Sequence, residues 1–318
     1  MAPDSNEYTI RNAESMEEMR DLWWPLMVDL GWNRAYNDAP MHWNVSRSTS
    51  WLVVTSKDSD KPEGCVVPFV FDNRTAWVGF FIMNASARGK GWGAALFRQC
   101  LAEFKRMGCE YIGLDAVVEQ KATYERRGFR EVGMIKNMFR DGLGKVPIED
   151  EIKTEGSGWK LVDIRSIEAG KLVDFEERCT GFRRSRLWSK EGMFHRVEDD
   201  TCGFAATDAS GALEGFVLVR VNHLGYRFGP IYASSRDIAS ALLRAAMKRT
   251  GELNKDGILV AEIFMDNPGS LKLFEELGWK DAGVDYHRMW IDAKATPQQS
   301  PGGNGERECW AVFDASEG

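Results

Sequence analysis

The chain has 318 residues, 43% of them hydrophobic, with 48 acidic against 41 basic side chains and a formal net charge of -7. That length suffices for two domains with cores of their own, and the acidic balance argues against a nucleic-acid surface while mildly favouring cationic partners. No apolar run approaches membrane-spanning length and residues 1–7 are too polar for a signal peptide, so the sequence predicts a soluble, cytoplasmic protein with no membrane partner.

In chain order, a strand is predicted over 8–10 and a helix over 15–30, opened by Ser15 with Glu17 and Glu18 in its first turn. Strands follow at 50–55, 64–71 and 75–83, the last two joined by a tight turn at Asp72, Asn73 and Arg74. An amphipathic helix over 92–107 places Leu96, Phe97, Cys100, Phe104 and Met107 on one face. A strand at 111–116, a short helix ending at Arg127 and a strand from Arg130 toward Ile135 complete the first unit.

Residues 142–158, with Pro147 and the run Glu149, Asp150, Glu151, read as a linker. Beyond it lie a strand at 159–163, helices at about 169–178 and 183–189, strands at 216–221 and 224–233, a helix at 238–247 and a strand at 258–264. Strands at 288–291 and 309–313 are expected to finish the second sheet, joined by a mobile loop at 297–305. The segment Phe274 to Trp279 matches Tyr124 to Phe129 at an offset of 150 residues, which marks an internal repeat.

The six cysteines (65, 100, 109, 179, 202, 309) contain no Cys-x-x-Cys pair, and the four histidines (42, 195, 223, 287) are scattered, so no metal site is expected. Cys100 lies on an apolar helix face and reads as packing rather than as a nucleophile.

The most informative stretch is Arg88, Gly89, Lys90, Gly91, Trp92, Gly93, between a strand and a helix. Glycines let successive backbone N–H groups converge, and a helix N-terminus adds partial positive charge, so the loop suits a pyrophosphate. A nucleotide-hydrolase loop needs Ser or Thr after its lysine, and Lys90 is followed by Gly91. A dinucleotide fingerprint is approached by Gly89, Gly91 and Ala94, with Asp115 roughly 20 residues on, but residues 84–87 separate the strand from the first glycine. A dinucleotide-binding oxidoreductase is therefore the weaker alternative.

The order of strand, Arg-x-x-Gly-x-Gly, amphipathic helix, strand, and short helix with Tyr124, Glu125, Arg126, Arg127, Gly128 and Phe129 resembles the GNAT family of N-acetyltransferases. The resemblance implies an α/β fold of two tandem GNAT-like domains, each a mixed, mostly antiparallel sheet flanked by helices: residues 1–141, the linker 142–158, and residues 159–318. It implies acetyl-CoA as cosubstrate, with Arg88, Gly89, Lys90, Gly91, Trp92 and Gly93 at the pyrophosphate, the backbone of Phe81, Ile82 and Met83 on the pantetheine arm, and Tyr124 protonating the departing thiolate. The asparagine that often precedes that tyrosine is replaced by Val117.

A phenol of pKa near 10 suits a thiolate whose conjugate acid lies near 8.5. Phe274 stands where the first half has Tyr124, so packing alone does not demand the hydroxyl. The second half also lacks a glycine pair before its helix and is expected to have lost cofactor binding. Asp115 and Glu119 are the nearest candidates for a base, each equally readable as a cap or a solvated side chain. The family's acceptor pocket corresponds to a region holding Trp32, Tyr36, His42 and Trp43. Arg183, Arg184 and Arg186 read as a solvated face rather than a carboxylate site. The expected function is acetyl transfer to a small-molecule amine, with an acyl-CoA sensor lacking turnover as the alternative from another class.

Overall fold

The computed structural model describes residues 7–46, 51–145, 156–193 and 201–318. Residues 1–6, Ser50, Pro147, Glu149 to Glu151 and His195, all named above, lie outside the described residues.

The first half opens with β1 (Tyr8–Asn12) and α1 (Met16–Asp29). Ser15 caps α1 by accepting from the Glu18 N–H, and Met19, Leu22, Trp23, Leu26 and Met27 form its buried face. Then come α2 (Ala39–Ser46), β2 (Leu52–Ser56), β3 (Ser59–Val70), β4 (Thr75–Met83), α3 (Trp92–Arg106), β5 (Tyr111–Val117), α4 (Val118–Glu125) and β6 (Phe129–Arg140). On α3 the predicted stripe is the packed one: Leu96, Phe97, Cys100 and Phe104 are fully buried, and each such Leu or Phe stabilises by about 1.5–3 kcal/mol.

The second half repeats the order with β7 (Trp159–Asp163), α5 (Ala169–Thr180), β8 (Cys202–Asp208), β9 (Leu213–Val221), β10 (Gly225–Ala233), α6 (Arg236–Leu253), β11 (Ile258–Phe264), α7 (Ser270–Glu276), β12 (Lys280–Ile291), α8 (Gly305–Glu308) and β13 (Cys309–Ala311). Strand β8 is an element the sequence pattern did not reveal. The helix predicted over 183–189 is instead a series of turns, in which Ser185 N–H donates to Asp72 and Arg184 is buried against Glu176. The loop at 297–305 is packed rather than mobile: Thr296 and Gln299 are buried, and both donate to the Thr180 carbonyl.

Among the described residues the strands form one sheet in the order β1-β2-β3-β4-β5-β12-β6-β11-β13-β10-β9-β8-β7. Pairing is antiparallel except at β4–β5 and β10–β11. The expectation that residues 288–291 complete the second sheet is corrected here, because β12 lies between β5 and β6 of the first half. In exchange, β6 pairs with β11 of the second half. Each half thus lends its post-helix strand to the other, and the seam carries long registers, from Tyr286↔Val117 to Trp290↔Gly113 on one side and Leu259↔Arg140 to Phe264↔Ile135 on the other.

One face of the sheet packs on α3 and α4 in the first half and on α6 and α7 in the second. The opposite face is covered by α1, α2, α5 and the C-terminal residues Val312 and Phe313, which share a single core.

Candidate active site

Strands β4 and β5 are in register only from Thr75↔Tyr111 to Trp77↔Gly113 and separate beyond that point. Within β4 the pairing to β3 slips between Val67↔Gly79 and Cys65↔Ile82, so two residues face one. Phe80 takes a positive φ of 45°, and the alternation of side chains flips there. Val78 packs toward α3, whereas Phe80 packs with Trp23, His42, Trp51 and Phe69 on the α1 and α2 side. The result is a gap in the sheet with a bulged wall.

A cavity of about 740 Å³ fills that gap. Its lining includes Val78 and Leu114 from the α3/α4 core as well as Phe80 and Ile82 from the α1/α2 core, so it passes through the sheet from one face to the other. At the α3/α4 mouth stand Arg88, Gly89, Gly91, Gly93, Glu119, Thr123, Tyr124 and Arg127. At the α1/α2 mouth stand Leu30, Trp32, Arg34, Tyr286, Ala315 and Ser316.

The loop owes its shape to two left-handed glycines, Gly89 at φ 78° and Gly91 at φ 80°. Gly91 is the N-cap of α3 and brings no side chain to the first turn, so the Trp92 and Gly93 N–H groups stay uncapped for an anion while Ala94 and Ala95 donate to the Gly91 carbonyl. Gly93 lies close to the Met83 side chain, where an added Cβ would come within 3.3 Å. Arg88 is held on the loop by donating from Nε to the Met83 carbonyl (3.1 Å). Lys90 and Trp92 do not line the cavity: Trp92 is buried against Tyr8, and the Lys90 ammonium sits 4.8 Å from the Trp92 ring centroid. Phe81, Ile82 and Met83 do line it.

Tyr124 lies in the cavity wall with only 8% exposure, its ring against Phe97 and Phe129. Its hydroxyl has no hydrogen-bond partner among the described residues. Burial pushes the phenol above its ordinary value, opposed by the nearby Arg127 guanidinium. It therefore keeps its proton throughout the neutral range.

Asp115 reaches the cavity, but both its oxygens are taken by Arg288 of β12, at 2.9 Å to Nε and 2.7 Å to Nη2. Arg288 is anchored in turn by donating to Gln299. Burial raises the Asp115 carboxyl while Arg288 opposes the rise. A carboxylate clamped in this way is a strut between halves rather than a proton acceptor. Glu119, in the first turn of α4, is exposed and lines the cavity.

Of the four aromatic candidates for the acceptor side, only Trp32 lines the cavity. His42 is fully buried and bound to Glu317, Tyr36 is exposed under the Arg20 guanidinium, and Trp43 packs on the core. The helical spacing of α2 turns the His42 ring inward toward Trp23 and Phe80. The arginine cluster divides as well: Arg183 is a surface ion pair with Asp174 and Glu177, whereas Arg184 is fully buried with Glu176.

Several cavity residues were not visible beforehand. Arg127 follows Tyr124 by three positions, a spacing that signals proximity once the helix is known. Tyr286, Ala315 and Ser316 arrive from the second half through β12 and the C-terminal segment, and no local signal announces them. That segment is buried: Trp77 Nε1 donates to the Ala315 carbonyl, Arg34 pairs with Asp314 (2.7 Å), and Arg184 donates to the Glu317 carbonyl.

The second half contains the corresponding gap, and it is filled. Strands β10 and β11 pair in parallel from Gly225↔Ile258 to Phe228↔Ala261 and then part, with β13 wedged between them (Ile231↔Ala311, Ile263↔Ala311). A Cβ on Gly229 would stand 2.4 Å from the Val312 carbonyl, so the wedge reaches the backbone of β10. Before α6 the N-cap is Ser235, whose hydroxyl accepts from Ile238 N–H where the first half offers bare N–H groups. All six cysteines are unpaired, and burial raises their thiols, Cys65 to about 12.

A parted parallel strand pair, a bulge, and a glycine-capped helix beside a tyrosine define an acyltransferase of the GNAT type. Residues 16–129 match the family model described as "Acetyltransferase (GNAT) family", and residues 172–301 match that described as "Acetyltransferase (GNAT) domain". The chain belongs to the GNAT family, as a tandem two-domain member.

A holothin acyltransferase from a Pseudoalteromonas species is 24% identical over 220 residues, which cover 68% of this chain and 67% of that protein. A putative acetyltransferase from Pyrococcus horikoshii superposes with a TM-score of 0.70 at 19% identity, covering 98% and 96% of the two chains. A tandem GNAT protein from the clavulanic acid biosynthesis pathway superposes at 0.63 with 14% identity, covering 91% of this chain and all of that one (100%). Among the described residues no helix is long and apolar enough to cross a membrane.

Proposed function

We propose that the chain transfers an acetyl group from acetyl-CoA to the amine of a small molecule, by direct attack in a ternary complex, with chemistry confined to the first half. The observation that carries this is the cavity through the sheet, with the glycine loop and Tyr124 at one mouth and a separate entrance at the other. Two entrances let donor and acceptor meet without either having to leave first.

The coenzyme fits the residues present. The first-turn N–H groups of α3, with Gly89 and Gly91 in left-handed conformation, suit a diphosphate, and Arg88 adds charge. The backbone of Phe81, Ile82 and Met83, separated from β5, offers hydrogen-bonding groups to an amide-bearing arm. When bound, the thioester supplies the activated acyl group. Tyr124, protonated and without another partner, donates to the leaving sulfur, and Glu119 is the unclamped carboxylate available to relay a proton through water. Lys90, whose ammonium rests 4.8 Å from the Trp92 ring centroid, adds positive charge beside the loop. The likeness to a holothin acyltransferase supports acyl transfer as the reaction class.

The test is calorimetry followed by turnover. Acetyl-CoA should bind with one site per chain, NAD should give no heat, and amine-dependent release of free thiol should follow. Binding of NAD in place of acetyl-CoA would overturn the proposal.

A further inference from the structure

The two mouths of the cavity differ in chemistry, and the difference bears on the acceptor. At the α1/α2 mouth the wall is mostly apolar, with Leu30, Trp32, Phe80, Tyr286 and Ala315 beside Arg34 and Ser316. The same character continues outward, since Leu30 is 40% exposed, Val28 49% and Leu224 54%, and Trp32 also lines the shallow depression between Val28 and Leu224.

The carboxylates buried behind this mouth already have ion-pair partners. Asp314 is paired with Arg34 (2.7 Å), Glu262 with Arg227 (2.6 Å) and with the Ala315 N–H (2.6 Å), and Asp115 with Arg288. Among the described residues lining the cavity, the unclamped carboxylate is Glu119, and it stands at the opposite mouth on α4. The charged side chain that lines the cavity at this mouth is a cation, Arg34. Arg34 is 3% exposed and makes its hydrogen bonds through Nη2, while Nη1 stands 3.9 Å from Glu262 and, like Nε, has no hydrogen-bond acceptor among the described residues.

An alkylammonium entering here would shed its hydration shell in a largely apolar passage, meet an arginine, and find no unpaired carboxylate among the described residues lining this mouth to hold it. An amine that is already neutral at physiological pH meets none of these obstacles.

We propose that the acceptor is an apolar amine of low basicity, an arylamine in chemical class, entering past Leu30 and Trp32. This rests on the acetyl-transfer reading above. In the step itself the C–N bond forms as the C–S bond breaks, the thiolate takes the Tyr124 proton, and the surplus proton of the new amide returns to the tyrosinate through water. No external base is consumed, and free coenzyme thiol and a neutral amide are the products.

The experiment compares arylamines with aralkylamines of equal carbon count and with a polyamine, following thiol release at saturating acetyl-CoA from mildly acidic to alkaline pH. Arylamine turnover should be flat across neutrality, while aralkylamine turnover should rise by about tenfold per pH unit until the amine's own pKa is reached. A Leu30→Glu variant, altered at a part-exposed position, places a carboxylate at the mouth and should shift the aralkylamine-to-arylamine rate ratio upward by about tenfold, the equivalent of one pKa unit.

Polyamine or aralkylamine outpacing arylamine at neutral pH, or an unchanged ratio in the variant, would overturn the inference while leaving acetyl transfer intact. Binding of acetyl-CoA without thiol release for any amine would overturn the acetyl-transfer reading and this inference together.

Discussion

Replacing Tyr124 by Phe separates chemistry from packing more cleanly than any other change in this molecule. The hydroxyl has no hydrogen-bond partner among the described residues, so its removal strands no donor or acceptor. The ring keeps its contacts with Phe97 and Phe129, and the equivalent site in the second half already holds a fully buried Phe274. Folding stability should therefore change by no more than about 0.5 kcal/mol.

If the phenol protonates the leaving sulfur, kcat should fall by about 10²- to 10⁴-fold. That corresponds to about 2.7–5.4 kcal/mol of lost transition-state stabilisation. The assay is thiol release at saturating acetyl-CoA, with thermal melting and calorimetric affinity measured on the same preparation. The pH profile is a second check. Burial raises the phenol above its ordinary value, so the wild type stays in the acid form through neutrality and loses activity only at alkaline pH, a limb absent from the variant. Wild-type turnover by Tyr124→Phe with every accepted amine would refute the assignment.

Gly91→Trp places a side chain where φ is 80°, at a backbone cost of about 1–2 kcal/mol, and should abolish calorimetric binding of acetyl-CoA. Asp314→Asn leaves Arg34 and Arg220 buried beside a neutral amide and should destabilise the fold by about 3–5 kcal/mol in denaturant titrations at neutral pH. Burial alone would raise the Asp314 carboxyl, yet Arg34, Arg227 and Arg220 prevail and hold it below the ordinary carboxylate range. Its stabilising contribution is thus complete above its unfolded value near 3.9 and disappears as pH falls toward the lower folded one, a component the variant should lack. Residues 1–141 expressed alone should fail to give a cooperative melt by circular dichroism, because β5 loses its neighbour β12 and Asp115 loses Arg288.

How much could be foreseen follows the range of the forces involved. The stretch from Thr75 through the glycine loop to Trp92 was legible because each step is local: an apolar run in β4, a glycine-rich loop, and an apolar stripe on α3. The place of Tyr124 in the cavity wall was legible through the motif that runs from Tyr124 to Phe129. The exchange of β6 and β12 was not, since both are twelve-residue strands of similar pattern, and nothing in either states which neighbour it will meet. The same limit hid the partnership of Asp115 with Arg288, separated by 173 positions. His42 misled for a related reason: an aromatic cluster in sequence resolves on a helix into inward and outward faces, and only Trp32, outside α2, reaches the cavity. The clustered arginines looked solvated because Glu176, the partner of Arg184, is supplied by a helix turned toward the core.

The traded strands have a bearing on heredity. After a duplication, one copy is ordinarily free to decay or vanish, but here the second copy owns a strand without which the first has an open seam. Mutation could erase the loop before α6 at little cost, whereas loss of the whole repeat would take β12, Tyr286 and Arg288 with it. The pair is inherited as one unit because neither member is whole alone.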